Sequence, residues 1–175
     1  MLHLNQPRRP MMYKVYKTDI PKNSSYLSYI SDVDYSDAYK VRLKKLDLSI
    51  EEIYINVFLH VPNWIMQLMK IRNIIVSLFG LKTDTTLNKK KVLKVGEKFG
   101  IFKIYSIQKD EIIAGEDDRH LNFRVSILKQ DEELIISTFV HYNNLFGKVY
   151  MTLITPFHKL IVKAMMKSAI KKERI

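Results

Sequence analysis

The stretch TPFHKLIVKAMMKSAIKK, residues 155–172, decides the fold that the sequence predicts. Thr155 suits an N-cap, and Pro156 suits the first helical position, where a missing N–H group costs nothing. At about 100° per residue, apolar side chains cover most of the circumference and leave one basic stripe, made of Lys159, Lys163, Lys167 and Lys171. The pattern predicts a long C-terminal helix that is enclosed on three sides, as by a curved sheet.

The composition is typical of one globular domain. The chain has 175 residues, 47% of them hydrophobic, and it has no cysteine, which excludes disulfides and thiolate metal sites. The net charge of +11 permits an anionic partner such as a lipid surface or nucleic acid. Because the basic residues are spread along the chain and no nucleic-acid-binding motif is present, we expect lysines that coat the surface and no nucleic-acid partner.

The apolar stretches favour a cytoplasmic protein without a transmembrane segment. Residues 1–14 lack the apolar core of a signal peptide. Residues 61–81 are the most apolar, but polar and charged side chains interrupt them, whereas a membrane span needs about 20 nearly uninterrupted apolar residues. We expect residues 1–33 to form a lead-in segment, disordered over residues 1–11, and residues 34–175 to form a single domain.

The secondary-structure pattern is one strand, two helices, about six strands and the long helix. Alternation predicts the first strand over residues 38–45, and the capping box of Ser49 and Glu52 predicts a helix to about Leu59. Pro62 precedes a second helix over residues 63–79. The later strands are expected at residues 91–96, 101–108, 111–115, 119–129, 134–142 and 147–154. Their short links argue for an antiparallel meander, and hence for an α+β fold.

This order resembles the helix-grip fold of the START and polyketide-cyclase (SRPBCC) superfamily, in which a curved antiparallel sheet surrounds a C-terminal helix. Several phrases are similar to one uncharacterised bacterial family within it. They are PNW at residues 62–64 with Arg72 and Asn73, GEDDRHLNFR at 115–124, STFV at 137–140, and NNLFGKVY at 143–150 with PFH at 156–158. The resemblance implies a hydrophobic cavity between the sheet and the long helix, and it implies no established activity.

The preferred function is therefore a binding domain for a hydrophobic or amphipathic small molecule, lipid-like or polyketide-like, without catalysis. One alternative is an enzyme of cyclase or hydrolase type that uses the same cavity, with His158, Arg124 and Asp118 as candidates. Another is a basic surface-binding protein for anionic membrane or nucleic acid, in which the lysine stripe joins residues 89–91 or Arg42. A long edge strand would also permit a homodimer.

The candidate ligand-binding residues are His158, Tyr142, Tyr150, Arg124, Met165, Phe157 and Trp64. His158 lies on the apolar side of the helix and has the acid/base range of imidazole, although a half-buried structural histidine is the favoured interpretation. The alternation of residues 119–129 favours a solvent-facing Arg124, and it reaches the cavity only if the strand is shifted. Trp64 is expected to be a packing anchor, with gating of the cavity mouth as the alternative.

No cofactor or metal is expected. The histidines are scattered without a ligand spacing, and no glycine-rich nucleotide loop or nucleophile elbow is present. Glu116, Asp117 and Asp118 form an acidic cluster that could hold a cation. They lack the spacing of a calcium loop, so a structural turn is the better interpretation.

Overall fold

The computed structural model describes residues 14–77, 92–100 and 102–175, with the backbone alone for residue 72 and residues 74–77. Its strands are β1 (Tyr16–Thr18), β2 (Tyr35–Arg42), β3 (Lys98–Phe99), β4 (Phe102–Ile107), β5 (Glu111–Asp117), β6 (Leu121–Gln130) and β7 (Glu133–Tyr142). Its helices are α1 (Ile50–Phe58), α2 (Asn63–Ser77) and α3 (Leu145–Lys171). A short 3-10 turn spans Tyr26–Ser28.

The seven strands form one curved, unclosed antiparallel sheet in the order β1-β2-β7-β6-β5-β4-β3. β3 to β7 follow one another as a meander, whereas β2 reaches the sheet from far away in sequence and pairs with β7 along its whole length. Side chains alternate between the two faces. We call the face that carries Leu134 and Ile136 of β7 the inner face, because it packs against α3, and the opposite face the outer face.

The main core lies between the inner face and two helices. The second half of α3 contributes Met165, Met166, Ala169 and Ile170, and α1 contributes Ile53, Tyr54 and Val57, all of them buried. α1 begins where the sequence predicts it, because the Ser49 hydroxyl accepts a hydrogen bond from the Glu52 backbone N–H and the Ser49 N–H donates one to the Glu52 carboxylate. The predicted α+β architecture, with two helices after a strand and a long C-terminal helix, is confirmed.

The strand predicted over residues 147–154 is wrong, since this segment is the first half of α3. The helix begins eleven residues before Thr155, at the N-cap Asn144, whose side chain accepts the Gly147 N–H. Thr152 and Thr155 donate their hydroxyls to backbone carbonyls one turn earlier, and Pro156 lies inside the helix. Strand propensity of Val, Tyr, Thr and Ile misled the prediction, because tertiary contacts override such preferences.

Two smaller differences from the predicted strands offset the lost strand, so the sheet has seven strands as expected. The weak strand expected over residues 91–96 is not a strand where the structure describes it, and the pairing segment is β3, Lys98–Phe99. After β3 the chain turns towards β4 at Gly100. The φ angle of Gly100 is 66°, a conformation that favours glycine. The seventh strand is β1 in the lead-in segment, which pairs with β2.

The lead-in residues 14–33 cover the outer face of the sheet. Tyr26 stacks on Phe139 of β7 with ring centroids 3.8 Å apart. The buried carboxylate of Glu111 accepts hydrogen bonds from Ser24 Oγ and Ser126 Oγ, both at 2.5 Å, and from Ser25 through N–H and Oγ at 2.8 and 2.6 Å. The expectation that the polar side of β6 faces solvent is therefore wrong. The prediction that residues 1–11 are disordered falls outside the residues that the structure describes.

We expect Ser25→Ala to lower the free energy of unfolding by about 1.5 to 3 kcal/mol, the range for a hydrogen bond to a charged group. The measurement is urea denaturation followed by circular dichroism. Ser31→Ala is the matched control, since Ser31 is exposed and its hydroxyl reaches only the neighbouring Asp32. Equal stability of the two variants would contradict a stabilising hydrogen bond from the Ser25 hydroxyl to Glu111.

Candidate functional site

The candidate site lies on the inner face of the sheet, beneath the first half of α3. In the register of the sheet, Phe123 of β6 lies opposite Val140 of β7, and Val140 lies opposite Tyr35 of β2. Two residues further along, Val125, Thr138 and Asp37 form the next row. Residues two apart on a strand share a face, so an acid, a phenol and a phenylalanine project into one region.

A polar cluster occupies the β2 end of this region. Asp37 is almost fully buried and accepts a hydrogen bond from the Tyr35 hydroxyl at 2.7 Å. Its other carboxylate oxygen lies 3.2 Å from Nε2 of His158, which projects from α3. The Tyr35 and His158 rings meet edge to face, with centroids 6.2 Å apart. These contacts fix the orientation of the imidazole and leave Nδ1 with no partner among the residues that the structure describes.

The Asp37 carboxyl is held in its ionised form. Burial opposes ionisation, but the hydrogen bond and the coulombic interaction with His158, together with hydrogen bonds from Tyr35 and Tyr39, outweigh it and bring the pKa below its ordinary 3.8. Burial, together with the hydrogen bond to Asp37, raises the pKa of the Tyr35 phenol. The cluster therefore presents a stable anion with a neutral phenol and an imidazole beside it.

An aromatic row forms the opposite end of the region. Phe58 of α1 contacts Phe102 of β4 edge to face at 5.8 Å, and Phe102 contacts Phe123 in the same way at 5.4 Å. All three rings are only half-buried. Phe123 packs against both the main core and a second cluster that contains Met151 of α3, so it links the row to the helix. The inner face thus carries a polar end and an apolar end.

The predicted ligand-binding residues lie in several places. His158 belongs to the polar cluster, and Tyr142 and Tyr150 are half-buried in the cluster around Leu121, Val140 and Met151. Met165 is part of the packed core. Phe157 is exposed on the other side of α3. Trp64 is 40% exposed on α2, so the packing anchor of that helix is the buried Ile65 rather than the tryptophan.

Arg124 lies on the outer face, away from α3. Its guanidinium donates to Asp117 at 2.7 and 3.2 Å and stacks 3.8 Å from the centre of the Tyr105 ring. Gly115 makes room for it, because a Cβ there would come within 3.1 Å of the arginine side chain and 2.1 Å of a backbone oxygen. Arg124 borders an open pocket of about 330 Å³ between the lead-in segment and the sheet, with Asn122 and His141.

The enclosed cavity expected between sheet and helix is not confirmed. Beneath the second half of α3 the space is filled by buried side chains, which include Tyr39, Ile136, Met166 and Ile170. The pocket near Arg124 is on the opposite face. Open, half-buried surface on the inner face is found at the aromatic row. Among the described residues, the inner face therefore offers partly exposed aromatic surface at this row.

The three candidates for catalysis do not converge. His158 is on the inner face, Arg124 is on the outer face, and Asp118 lies in the β5–β6 turn, 3.3 Å from Nδ1 of the buried His120. The acidic cluster is also dispersed, since Glu116 pairs with Lys98 and Asp117 with Arg124. Within the described ranges, no three acidic or histidine side chains are arranged to hold a metal ion.

Sequence reasoning missed Asp37 and Tyr35, because it started the first strand at residue 38. The signal was present, because Tyr35 and Asp37 precede Tyr39 and Val41 at the same two-residue interval and so continue the inner face. Asp37 interrupts the apolar residues of this face, so the predicted strand started too late in the sequence. A buried acid within an otherwise apolar strand face is the kind of exception that marks a site.

Comparison with known proteins gives a family but no activity. Residues 29–165 match a family described as "Protein of unknown function (DUF2867)". No match was found among curated proteins or among solved structures. In the part of the chain that is described, no helix is long and apolar enough to cross a membrane. The START affiliation and a bacterial origin stay predictions.

We expect Asp37→Asn to lower the free energy of unfolding at pH 7 by about 1 to 3 kcal/mol, because a charge-assisted hydrogen bond is lost. The folded-state pKa of Asp37 is depressed, so its stabilisation is present above the ordinary value of 3.8 and is lost as the pH falls through the folded-state pKa. The difference from wild type should shrink below about pH 4.

The measurement is urea denaturation of both proteins at several pH values between 7 and 3. Asp19→Asn serves as the control, since Asp19 is exposed and far from α3 in the sheet order. A stability difference that stays constant over this range would contradict the ionised Asp37.

Proposed function

We propose that this chain, which belongs to the DUF2867 family of proteins of unknown function, binds an amphipathic small molecule on the inner face of its sheet. The polar group of the ligand contacts His158 and Tyr35, and its apolar part lies against Phe102 and Phe123. The observation that carries the proposal is the single inner-face row that joins the polar cluster to the half-buried phenylalanines.

The apolar end supports a ligand that replaces water on aromatic surface. Each phenylalanine ring buries a large apolar area when covered, and neighbouring rings favour flat or branched hydrocarbon through edge and face contacts. Phe58, Phe102 and Phe123 contact one another in series and leave part of each ring uncovered. Such a surface is more permissive in ligand shape than an enclosed cavity, because one side is not closed by protein.

The polar end supports a ligand with a hydrogen-bonding group rather than a pure hydrocarbon. Asp37 already uses one oxygen for Tyr35 and the other for His158. Nδ1 of His158 is therefore the natural contact for the ligand, and it donates or accepts according to the tautomer. Strand spacing places Tyr35 roughly 10 Å from Phe123, so a ligand of one or two rings, or a short acyl chain, spans both ends.

The proposal is tested first by native mass spectrometry of the purified protein against its denatured mass. We expect a co-purified small molecule, or failing that, binding of the amphipathic dye 1-anilinonaphthalene-8-sulfonate to the folded protein. Phe123→Ala should weaken dye binding about tenfold, since roughly 1.4 kcal/mol of aromatic contact is lost. The sulfonate of the dye needs a hydrogen-bond donor. His158→Gln should therefore weaken binding of the dye more than binding of an uncharged naphthalene analogue.

Phe139→Leu is the matched control, because Phe139 is a sheet phenylalanine on the outer face under Tyr26. Near-ultraviolet circular dichroism verifies that each variant keeps its tertiary packing. Dye affinity that falls with Phe139→Leu and not with Phe123→Ala would place the binding site on the outer face and refute the proposal.

A further inference from the structure

The first half of α3 presents an apolar stripe to solvent. It consists of Leu145, Val149, Leu153, Phe157 and Leu160, each more than half exposed. Their spacing of three or four residues places them on one face, opposite to the side that carries His158 and Met151. We refer to these five residues as the α3 stripe. Their side chains expose on the order of 500 Å² of apolar surface together, which is within the range of functional patches on soluble proteins.

All the acidic or basic residues of α3, histidine aside, are lysines. The helix contains five lysines, at positions 148, 159, 163, 167 and 171, and neither aspartate nor glutamate. Lys167 and Lys171 continue the face of the α3 stripe towards the C-terminus and are exposed, whereas the Lys163 ammonium lies over the Tyr39 ring at 5.0 Å. The exposed side of this helix is therefore apolar in its first half and basic in its second, on a chain with net charge +11.

We infer that the α3 stripe and its lysines dock the domain on an anionic lipid surface. Apolar side chains on one face of a helix enter the boundary between head groups and acyl chains, and nearby lysines attract anionic head groups. This use of α3 is separate from the proposed inner-face site, because the two involve opposite sides of the helix.

The charges disfavour a second copy of the chain as the partner. An antiparallel pair centred on Leu153 would bring Lys148 of one copy close to Lys159 of the other, and a parallel pair would place each lysine beside its twin. Like charges in such positions destabilise a helix pair. Nucleic acid would attract the lysines but would leave the leucines in water, so a bilayer is the partner that uses both halves of the face.

The test is co-sedimentation of the full chain with phosphatidylcholine vesicles, with and without phosphatidylserine. We expect binding to the phosphatidylserine vesicles that weakens as salt rises, since screening reduces the attraction of exposed charges. Leu153→Gln should weaken binding about tenfold through lost apolar burial, and Lys167→Gln about fivefold, the equivalent of one lysine near an anionic surface.

The controls are Leu46→Gln and Lys109→Gln, which alter an exposed leucine and an exposed lysine outside α3 and should leave binding unchanged. Because Leu153 points to solvent, its variant should keep the wild-type melting temperature. Three results would overturn the inference. These are no binding to anionic vesicles at low salt, equal effects of Leu46→Gln and Leu153→Gln, or a wild-type dimer by light scattering that Leu153→Gln converts to monomer.

Discussion

The pairing of β2 with β7 is the constraint on which the rest of the molecule depends. Eight residue pairs join two strands about 100 positions apart in sequence, so the chain must enclose α1, α2 and the β3–β6 meander before this ladder closes. The ladder places Asp37 beside Thr138 and beneath α3, where His158 reaches it. It also provides β2 as the partner of β1 and so brings the lead-in segment to the outer face. Long-range pairing of this kind is slow to form but secures the sheet once made.

Both faces of the central strands are covered, and this explains the unusual polar content of the interior. β6 and β7 pack against helices on one side and against residues 14–33 on part of the other. Buried polar groups then need internal partners. Glu111 obtains them from three serines, and Arg124 from Asp117 and the Tyr105 ring. The outer face thereby gains polar contacts inside the protein, whereas the inner face keeps partly exposed aromatic surface.

Local signals predicted much of the fold and less of the site. The capping box at Ser49 and the hairpins between β4 and β7 depend on neighbours in sequence, and these were predictable. The start of α3 was not, because Gly147 is required by contact with His120, whose carbonyl oxygen a Cβ would approach to 1.9 Å. Burial of Arg124 depends on the distant lead-in segment covering it. Asp37 became recognisable as a site residue only when β2 met α3.

Pro156 interrupts the backbone hydrogen bonding of α3. Its nitrogen carries no hydrogen, so the carbonyl of Thr152 loses its helical partner, and the Thr152 and Thr155 hydroxyls compete for carbonyls one turn earlier. The helix therefore lacks one backbone hydrogen bond near its middle, between a segment before the proline and a segment after it. The segment after the proline is held in the core by Met166 and Ile170, and the segment before it is held against the sheet by Met151 and by the close contact of Gly147 with the His120 carbonyl. Because both segments are anchored on the sheet, their packing keeps the helix continuous across the missing bond and keeps His158 beside Asp37.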